Sequence, residues 1–520
     1  MKTLKSYVCG QWHEAGSGFA TLYDPSTEEP VARASSAGID FGAVIAHARD
    51  VGGPALRALS FAARADLLKS LSKVLREHRD ELLEVSRLNM GTTKGDGSFD
   101  IDGASGTLAY YFSIGRPLGE KPCLTSAEGM QLGKGEGFWG QHVLVPKAGV
   151  AVHVNAFNFP AWGFAEKAAC ALLAGVPVVT KPATATAMVA AQAIERIVAA
   201  GILPEGSFQL ICGGTGDLID RLGPQDVFAF TGSADTALSL RGGANLLSAS
   251  TRINIEADSL NAAVLAPDAG DSGTVFELFL KDVVREMTQK AGQKCTAVRR
   301  ILVPRSVLAA AREALAARLA AVVVGNPAAE GVTMGPLATA RQLADAESGV
   351  AKLAAQARIV AGTGKRSDGV GSPEGKGYFF PPTLLEADDP RGAEVVHQHE
   401  VFGPVATLLP YDGSAAEAAG LVALGGGTLV TSVYGSDPAW ITGFLAGAGA
   451  TTGRLYIGSE GSAAEALGSG IALPQTLHGG PGRAGGGAEL AGLAGLEPYL
   501  QKVALQGEKG LVGQLAGNAS

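Results

Sequence analysis

The chain has 520 residues, of which 46% are hydrophobic and 18% are charged, and its formal net charge is −8. A chain of this length exceeds one ordinary hydrophobic core, so we expect two or more lobes. The negative charge argues against a nucleic acid or an anionic membrane surface as the main partner.

The N-terminal part of the sequence predicts an extended arm followed by helices. Residues 6–30 form the arm, and leucines and valines at helical spacing predict helices at 41–51 and within 60–90. The glycine- and aspartate-rich stretch 91–106 is predicted to be a surface loop. Residues 130–146 alternate polar and apolar side chains around glycines, which indicates a β-hairpin.

Strands and helices then alternate along most of the remaining chain, which is the signature of parallel sheets. A first series spans 150–256 and ends in a strand at 252–256. A second series includes an amphipathic helix at 273–289 and a short buried strand at 300–304. These two series predict two α/β lobes, and the tail after Gly507 is predicted to be loosely ordered.

The cysteines are scattered and odd in number, and no pair has C-x-x-C spacing. This pattern predicts a reducing compartment, with neither a disulfide framework nor a zinc site. No apolar run follows the N-terminus, so no signal peptide is predicted, and we expect a cytoplasmic protein without a membrane span. The cysteines are Cys9, Cys123, Cys170, Cys212 and Cys295.

Cys295 lies on the connection between the predicted helix at 273–289 and the predicted strand at 300–304. Such connections often carry catalytic residues. Lys290 and Lys294 flank the cysteine, and nearby cationic groups lower the pKa of a thiol and raise its thiolate fraction. A lone cysteine is more often buried and inert, so the surrounding motifs decide between the two interpretations.

Several short motifs accompany Cys295 in a fixed order. They are Asn158-Phe159-Pro160, Lys181-Pro182, Phe230-Thr231-Gly232-Ser233, Glu256, Gly292-Gln293 before Cys295, and Glu400-Val401-Phe402-Gly403-Pro404. Each motif is weak alone, but their order and spacing resemble the aldehyde dehydrogenase superfamily over nearly the whole chain.

The resemblance implies the α/β fold of that family, with a Rossmann-like cofactor-binding domain, an α/β catalytic domain and a small β oligomerisation arm. A C-terminal strand at about 502–505 is implied to join the hairpin of the arm, and a homodimer is expected. The family binds its dinucleotide without a G-x-G-x-x-G fingerprint between a strand and a helix, and here Gly213-Gly214-Thr215-Gly216, which lies between a predicted strand and a predicted helix, lacks that spacing. The implied boundaries are 1–129 and 147–260 for the cofactor-binding domain, 261–490 for the catalytic domain, and 130–146 with 491–520 for the arm and tail.

Three residues receive catalytic roles from the resemblance. Cys295 is the implied nucleophile, whose thiolate attacks the aldehyde before hydride passes to a nicotinamide. Asn158 is the implied oxyanion donor, together with the backbone N–H of Cys295. Glu256 is the implied general base, which activates water to release the acid. Taken alone, Asn158 would be a turn residue and Glu256 a solvated carboxylate at a strand end.

A second set of residues is implied to bind the cofactor. Thr231, Gly232 and Ser233 open a helix after a strand, where free N–H groups would receive a pyrophosphate. Lys181 is implied to reach the adenosine ribose. Members that prefer NAD carry a glutamate three residues after this lysine, where this chain has Thr184. We therefore predict a preference for NADP, with NAD as the alternative.

Further along the chain, Glu400 is implied to bond the nicotinamide ribose, and Phe402 to contact the nicotinamide. An ordinary loop carboxylate is the other interpretation of Glu400. His397 and His399 alternate as metal ligands can, but no cluster completes them, and no metal site is predicted. Glu497 is a candidate for relaying protons out of the site.

Two stretches depart from the usual family pattern. Ala257-Asp258-Ser259-Leu260 stands where members have Leu-Gly-Gly-Lys, which removes backbone freedom beside Glu256. Leu477-His478-Gly479-Gly480 stands where members often have Pro-Phe-Gly-Gly. Both variants resemble the branch of coenzyme-A-linked semialdehyde dehydrogenases in aerobic phenylacetate and benzoate breakdown.

Some members of that branch carry a fused hydratase domain, for which this chain is too short. The implied substrate is therefore that of the stand-alone type, 3,4-dehydroadipyl-CoA semialdehyde. Two alternatives stay open, namely a broad medium-chain aldehyde dehydrogenase and a non-catalytic scaffold with the same fold. The presence of Cys295, Asn158 and Glu256 together argues against the scaffold.

Overall fold

The computed structural model describes residues 1–121, 123–126, 128–135 and 137–517. The strands, in chain order, are β1 (Lys2–Leu4), β2 (Ser6–Val8), β3 (Gln11–His13), β4 (Ala20–Tyr23), β5 (Pro30–Ala34), β6 (Leu124–Thr125), β7 (Met130–Gln131), β8 (Phe138–Pro146), β9 (Ala151–Val154), β10 (Val178–Lys181), β11 (Phe208–Leu210), β12 (Val227–Thr231), β13 (Arg252–Glu256), β14 (Ala262–Leu265), β15 (Arg300–Pro304), β16 (Arg358–Ala361), β17 (Thr383–Glu386), β18 (Val405–Tyr411), β19 (Thr428–Tyr434), β20 (Thr452–Gly458), β21 (Leu477–Gly479), β22 (Ala488–Leu490) and β23 (Leu500–Glu508).

The α-helices are α1 (Phe41–His47), α2 (Gly53–Arg57), α3 (Phe61–Glu77), α4 (Arg79–Met90), α5 (Lys94–Gly115), α6 (Trp162–Ala174), α7 (Ala187–Ala199), α8 (Ala234–Arg241), α9 (Ala244–Ser248), α10 (Thr274–Thr288), α11 (Leu308–Ala320), α12 (Ala340–Leu353), α13 (Glu394–Gln398), α14 (Ala415–Ala423), α15 (Pro438–Ala448) and α16 (Lys509–Leu515). Among the residues described, no helix combines the length and apolarity that a bilayer crossing needs.

Two large mixed sheets form the framework of the described chain. The first has the strand order β13-β12-β9-β10-β11-β2-β3, and the second β16-β17-β18-β15-β14-β19-β20. Strands β9 to β13 are parallel, as are β14, β15 and β17 to β20. The two predicted α/β series are therefore confirmed, and the chain passes from one sheet to the other directly after Glu256.

A smaller antiparallel sheet carries the predicted hairpin. Strand β8 pairs with β7 and β6 on one side and with β23 on the other. The register places Val503 opposite Val143 and Leu505 opposite Gln141. The predicted pairing of the hairpin with a C-terminal strand is thus confirmed, although position 136 of the hairpin lies outside the described residues.

The prediction of a surface loop at 91–106 is wrong, because most of this stretch belongs to α5. Thr93 caps the helix by accepting a hydrogen bond from the backbone N–H of Asp96. The glycines permit close packing here, since a Cβ at Gly103 would lie 2.3 Å from the ring of Trp162. Glycine in this helix therefore marks close contact between α5 and α6.

The prediction of a loosely ordered tail after Gly507 is also wrong for residues 509–515, which form α16. The Glu508 side chain caps the helix by accepting hydrogen bonds from two backbone N–H groups. Val512 and the C-cap residue Ala516 are buried, and Ala516 packs with Val143 of β8. Residues 518–520 of the tail lie outside the described part of the chain.

Candidate active site

The loop that carries Cys295 is held in an unusual conformation. Lys290 and Ala291 have φ angles of 54° and 52°, in the left-handed region that favours glycine. Gly292 follows with φ 67°, and a Cβ there would lie 2.3 Å from the carbonyl oxygen of Gly403. The Asn261 side chain then donates hydrogen bonds to the carbonyl oxygens of Cys295 (2.7 Å) and Ala297 (3.0 Å). The nucleophile candidate therefore sits on a tightly constrained turn.

Cys295 opens onto a cleft with about 520 Å³ of empty space. Asn158 and Glu256 line the same cleft, so the structure brings together all three residues predicted to be catalytic. The Asn158 amide donates to the carbonyl oxygen of Gln293 at 3.0 Å, which fixes its orientation beside the cysteine loop. The rings of Phe99, Phe159 and Trp162 pack edge to face and form an apolar part of the wall.

Glu256 and Cys295 meet at His478, which the sequence analysis did not identify as a site residue. The Nε2 atom of His478 lies 3.0 Å from Oε2 of Glu256 and 3.8 Å from Sγ of Cys295. Burial raises the pKa of Glu256, but the charge and hydrogen bond of His478 outweigh it and lower the pKa to about 2. Burial lowers the pKa of His478, yet the Glu256 carboxylate raises it above its ordinary value. The pair therefore favours an ionised carboxylate beside the thiol.

The predicted lowering of the thiol pKa by Lys290 and Lys294 is contradicted by the structure. Burial raises the pKa of Cys295 well above its ordinary value, and the hydrogen-bonded Glu256 carboxylate raises it further. Lys294 instead pairs with Glu286, its Nζ atom 2.6 Å from the carboxylate. The Nζ atom of Lys290 lies 4.4 Å from the ring centroid of Phe159. Proximity in the sequence does not predict the thiol pKa here, because both lysine side chains turn toward other partners.

A buried group of charges lies at the wall of the cleft, and the sequence did not reveal it. The Lys167 ammonium is 3.0 Å from Glu166 and 3.1 Å from Glu489. Burial raises the pKa of Glu166, Lys167 lowers it and Glu489 raises it, which leaves it at about 7. Glu166 and Lys167 also line the cleft. The relay candidate Glu497 is exposed and is not among the residues that line the cleft, and its role stays a prediction.

The residues predicted to hold a dinucleotide lie along the first sheet. Lys181 ends β10, and the Thr184 hydroxyl donates to the carbonyl oxygen of Gly213 at 3.1 Å. Ser233 is the N-cap of α8, and the backbone N–H of Gly232 donates to the backbone carbonyl oxygen of Glu256. The Thr231 hydroxyl is buried and has no hydrogen-bond partner among the described residues. An unsatisfied hydroxyl between a strand and a helix N-terminus suits a phosphate oxygen.

The loop that carries Glu400 and Phe402 is tied to the cysteine loop by Arg299. This buried guanidinium donates to the carbonyl oxygens of Gly403 (2.8 Å), Gly292 (3.0 Å) and Lys294 (3.2 Å). It also lies 3.4 Å from the Glu400 carboxylate and 5.3 Å from the ring centroid of Phe402. Arg299 therefore fixes two predicted site elements against each other.

Asp258, one of the residues that depart from the family pattern, faces Glu400 and forms an ion pair with Arg483. Burial raises the pKa of Glu400, Arg299 lowers it and Asp258 raises it, and the result is about 8. Arg483 also donates to the carbonyl oxygens of His397 (3.2 Å) and Gln398 (2.8 Å). The residue that replaces a glycine thus anchors the chain beside Glu256.

His397 has a structural role in this arrangement. Its Nε2 atom lies 2.7 Å from the carbonyl oxygen of Pro390, and its Nδ1 atom lies 3.1 Å from Arg300. Burial lowers the pKa of His397 to about 4. Both ring nitrogens are therefore already hydrogen-bonded.

Comparison with known proteins places these observations in a family. A profile of the aldehyde dehydrogenase family matches residues 12–501. The chain is 45% identical to 3,4-dehydroadipyl-CoA semialdehyde dehydrogenase of Aromatoleum evansii over 478 residues, which cover 92% of this chain and 93% of that protein. Lactaldehyde dehydrogenase from Escherichia coli superposes with a TM-score of 0.83 at 25% identity, over 97% of this chain and 99% of that chain. PnpE, solved with nicotinamide adenine dinucleotide, superposes with a TM-score of 0.83 at 23% identity, over 97% of both chains. The chain therefore belongs to the aldehyde dehydrogenase family and is an aldehyde-oxidising oxidoreductase.

Proposed function

We propose that the protein oxidises a linear, CoA-linked semialdehyde to the carboxylic acid, with Cys295 as the nucleophile. The observation that carries this proposal is the meeting of Cys295, Glu256 and Asn158 in one cleft. The 45% identical relative that acts on 3,4-dehydroadipyl-CoA semialdehyde supports the substrate class. We therefore propose the same semialdehyde as the substrate here.

Glu256 begins the reaction by taking the proton of the Cys295 thiol, to which it is hydrogen-bonded. His478 holds the carboxylate in the orientation for this transfer. Because the pKa of the thiol is raised and the pKa of Glu256 is lowered, the proton moves only as the sulfur bonds to the aldehyde carbon. The carbonyl oxygen gains the negative charge as this bond forms.

Asn158 stabilises that oxyanion together with the backbone N–H of Cys295. One N–H of the Asn158 amide is committed to Gln293, and its second N–H is available to the substrate. Loss of hydride leaves a thioester on Cys295, and Glu256 releases the thiol proton to solvent. Glu256 then takes a proton from the water that attacks the thioester. The C–S bond breaks, the acid departs, and the Cys295 thiolate takes that proton back from Glu256.

A nicotinamide dinucleotide supplies the hydride acceptor when it is bound. The unsatisfied Thr231 hydroxyl, with Gly232 and Ser233 at the start of α8, fits its pyrophosphate. Lys181 and Thr184 would hold the adenosine ribose. Because Thr184 is neutral and Lys181 is cationic, this end of the site accepts a 2′-phosphate, and we propose a preference for NADP over NAD. Glu400 and Phe402 would hold the nicotinamide end.

A homodimer formed through the small sheet completes the proposal. Strand β23 lies at the edge of that sheet, and most of its residues are exposed. An exposed edge strand presents unpaired backbone groups that pair readily with another chain. The β8–β23 edge therefore suits self-association.

The substrate proposal is tested by the turnover of three aldehydes with NADP. These are 3,4-dehydroadipyl-CoA semialdehyde, the corresponding semialdehyde without CoA, and hexanal. We expect kcat/KM to be at least about tenfold higher for the CoA-linked substrate, a difference of about 1.4 kcal/mol in transition-state binding. Equal values for hexanal would favour the broad medium-chain enzyme, and no turnover of any aldehyde would favour the scaffold.

Cys295→Ala tests the mechanism in the same assay. We expect kcat to fall by at least about 10³-fold, because the covalent step is lost. Cys9→Ser is the matched control, since Cys9 is also a partly exposed free thiol but lies in another part of the fold. Equal activity of Cys295→Ala and the wild type would overturn the mechanism whatever the substrate is.

A further inference from the structure

The cluster of Glu256, Cys295 and His478 has the geometry of three metal ligands. Their carboxylate oxygen, Sγ and Nε2 atoms all lie within 4.8 Å of one another. The Sγ–Nε2 distance is 3.8 Å and the Nε2–Oε2 distance is 3.0 Å. Ligands around a tetrahedral Zn²⁺ would be about 3.5 Å apart for sulfur and nitrogen and about 3.4 Å apart for nitrogen and oxygen. Small side-chain shifts would therefore complete three corners of a zinc site.

The chemistry of the donors also fits zinc. Thiolate, imidazole and carboxylate are the ligand types that Zn²⁺ takes in proteins. The thiolate and the carboxylate would balance the two charges of the ion, so a neutral imidazole completes an uncharged cluster. All three residues line the cleft, so water or another small ligand has room to take a fourth position.

The three ligands are held by separate pieces of the fold. Glu256 ends β13, which pairs with β12. The carbonyl of Cys295 is fixed by Asn261, and His478 lies in β21, opposite Glu489 of β22. Because all three backbones are fixed, an ion would enter a site that already exists. The residues are far apart in the sequence, which is why cysteine spacing predicted no zinc site.

We propose that Glu256, Cys295 and His478 bind Zn²⁺ or another thiophilic divalent cation, and that this binding reversibly blocks the thiol. The ion occupies the position that an aldehyde needs in order to reach the sulfur. The block of catalysis rests on the function proposed above, whereas binding of the ion does not. His478 is the determinant of this site, because it adds the nitrogen ligand that a phenylalanine at this position would lack.

Cobalt(II) titration of the full-length protein tests binding without any assay of activity. Tetrahedral Co²⁺ bound to a thiolate shows a charge-transfer absorption in the near ultraviolet and intense ligand-field bands in the visible. We expect both, at one ion per chain, and we expect Zn²⁺ to displace them. His478→Phe should weaken binding by more than about 100-fold, because even changes outside the ligand shell cost about 10- to 100-fold in metal affinity. Glu256→Gln should also weaken binding, and Cys295→Ser should remove the charge-transfer band.

Cys9→Ser is again the matched control and should titrate like the wild type. Thermal unfolding of each variant confirms that it folds. A charge-transfer band that persists in Cys295→Ser would place the ion elsewhere and overturn the proposal. Equal affinity in His478→Phe would overturn it too, since the ion would then be held by the thiol alone. If the titration succeeds but no aldehyde is turned over, the metal site stands and the proposed function fails.

Discussion

Asp258 and His478 both depart from the family pattern, and each contacts a residue of the segment that carries the other. Asp258 forms an ion pair with Arg483, and His478 pairs with Glu256. Strand β13, which carries Glu256, leads directly to Asp258, while His478 and Arg483 belong to one C-terminal stretch. The backbone N–H of Gly487 in the same stretch donates to Ile255. The altered segments therefore contact each other and together hold Glu256, the proposed base.

A single charge introduced at Thr184 tests the proposed preference for NADP over NAD. Thr184→Glu would place a carboxylate where the proposed 2′-phosphate lies, close to Lys181 in the sequence. Like charges brought together at a binding site cost several kcal/mol. We expect the ratio of kcat/KM for NADP to that for NAD to fall by about 100-fold, which corresponds to about 2.7 kcal/mol.

The control for this change is Thr184→Gln, which has nearly the shape of glutamate without its charge. Both substitutions remove the hydrogen bond from Thr184 to Gly213, so that loss cancels in the comparison. Steady-state kinetics with both dinucleotides provide the measurement. If glutamine shifts the ratio as far as glutamate does, shape and not charge sets the preference.

Among the elements, the loop of Cys295 and the loop of Glu400 and Phe402 depend on one buried side chain. Arg299 hydrogen-bonds three carbonyl oxygens on these two loops and contacts the Glu400 carboxylate. Arg299→Lys retains the charge but loses the planar fork that reaches several acceptors at once. We expect the KM for NADP to rise about tenfold, because the Glu400 loop loses its position, with a smaller loss in kcat.

Arg299→Met separates positioning from stability. Methionine removes the charge and leaves the buried acceptors of Arg299 unpaired. Breaking a buried ion pair in this way lowers the free energy of unfolding by about 3–5 kcal/mol. We expect a lower Tm and a KM for NADP at least as high as that of Arg299→Lys. A lower Tm with an unchanged KM in both variants would show that Arg299 serves stability alone.

Elements with clear hydrophobic periodicity were predicted well from the sequence. Helix α10 and strand β15, on either side of Cys295, lie where their patterns placed them, and the family match confirms the resemblance carried by the motifs. The part of α5 before residue 107 was missed because glycine is typical of turns, whereas Gly103 serves close packing against Trp162. His478 was missed as a site residue, and the lysines beside Cys295 gave a wrong prediction of a lowered thiol pKa. Both errors arise because tertiary contacts set the direction of a side chain. The division into domains stays a prediction.

At the scale of the whole molecule, the small sheet is the region that suits assembly. One face of it is covered by α16, whose neighbour Ala516 packs with Val143 and Cys123. The outer edge of β23 has no strand partner within the described chain. Edge strands of this kind are either protected or used for association. Tyr499 and Leu500 pack into the core of the first lobe. The small sheet is therefore firmly attached to its own chain, as a sheet that joins two chains would need to be.

Truncation can decide whether this edge forms the proposed dimer. A chain that ends at Tyr499 lacks β23, so β8 loses its partner over the whole register from Pro146 to Phe138. We expect this variant to be monomeric at micromolar concentration in light scattering coupled to size exclusion. A chain that ends at Glu508 is the control, because it keeps β23 and loses only α16 and the tail. We expect it to remain dimeric, with a Tm lowered by a few degrees through loss of the packing of Ala516 against Cys123 and Val143. A dimer that survives removal of β23 would place the interface elsewhere, since no backbone pairing through this edge could then hold the two chains together.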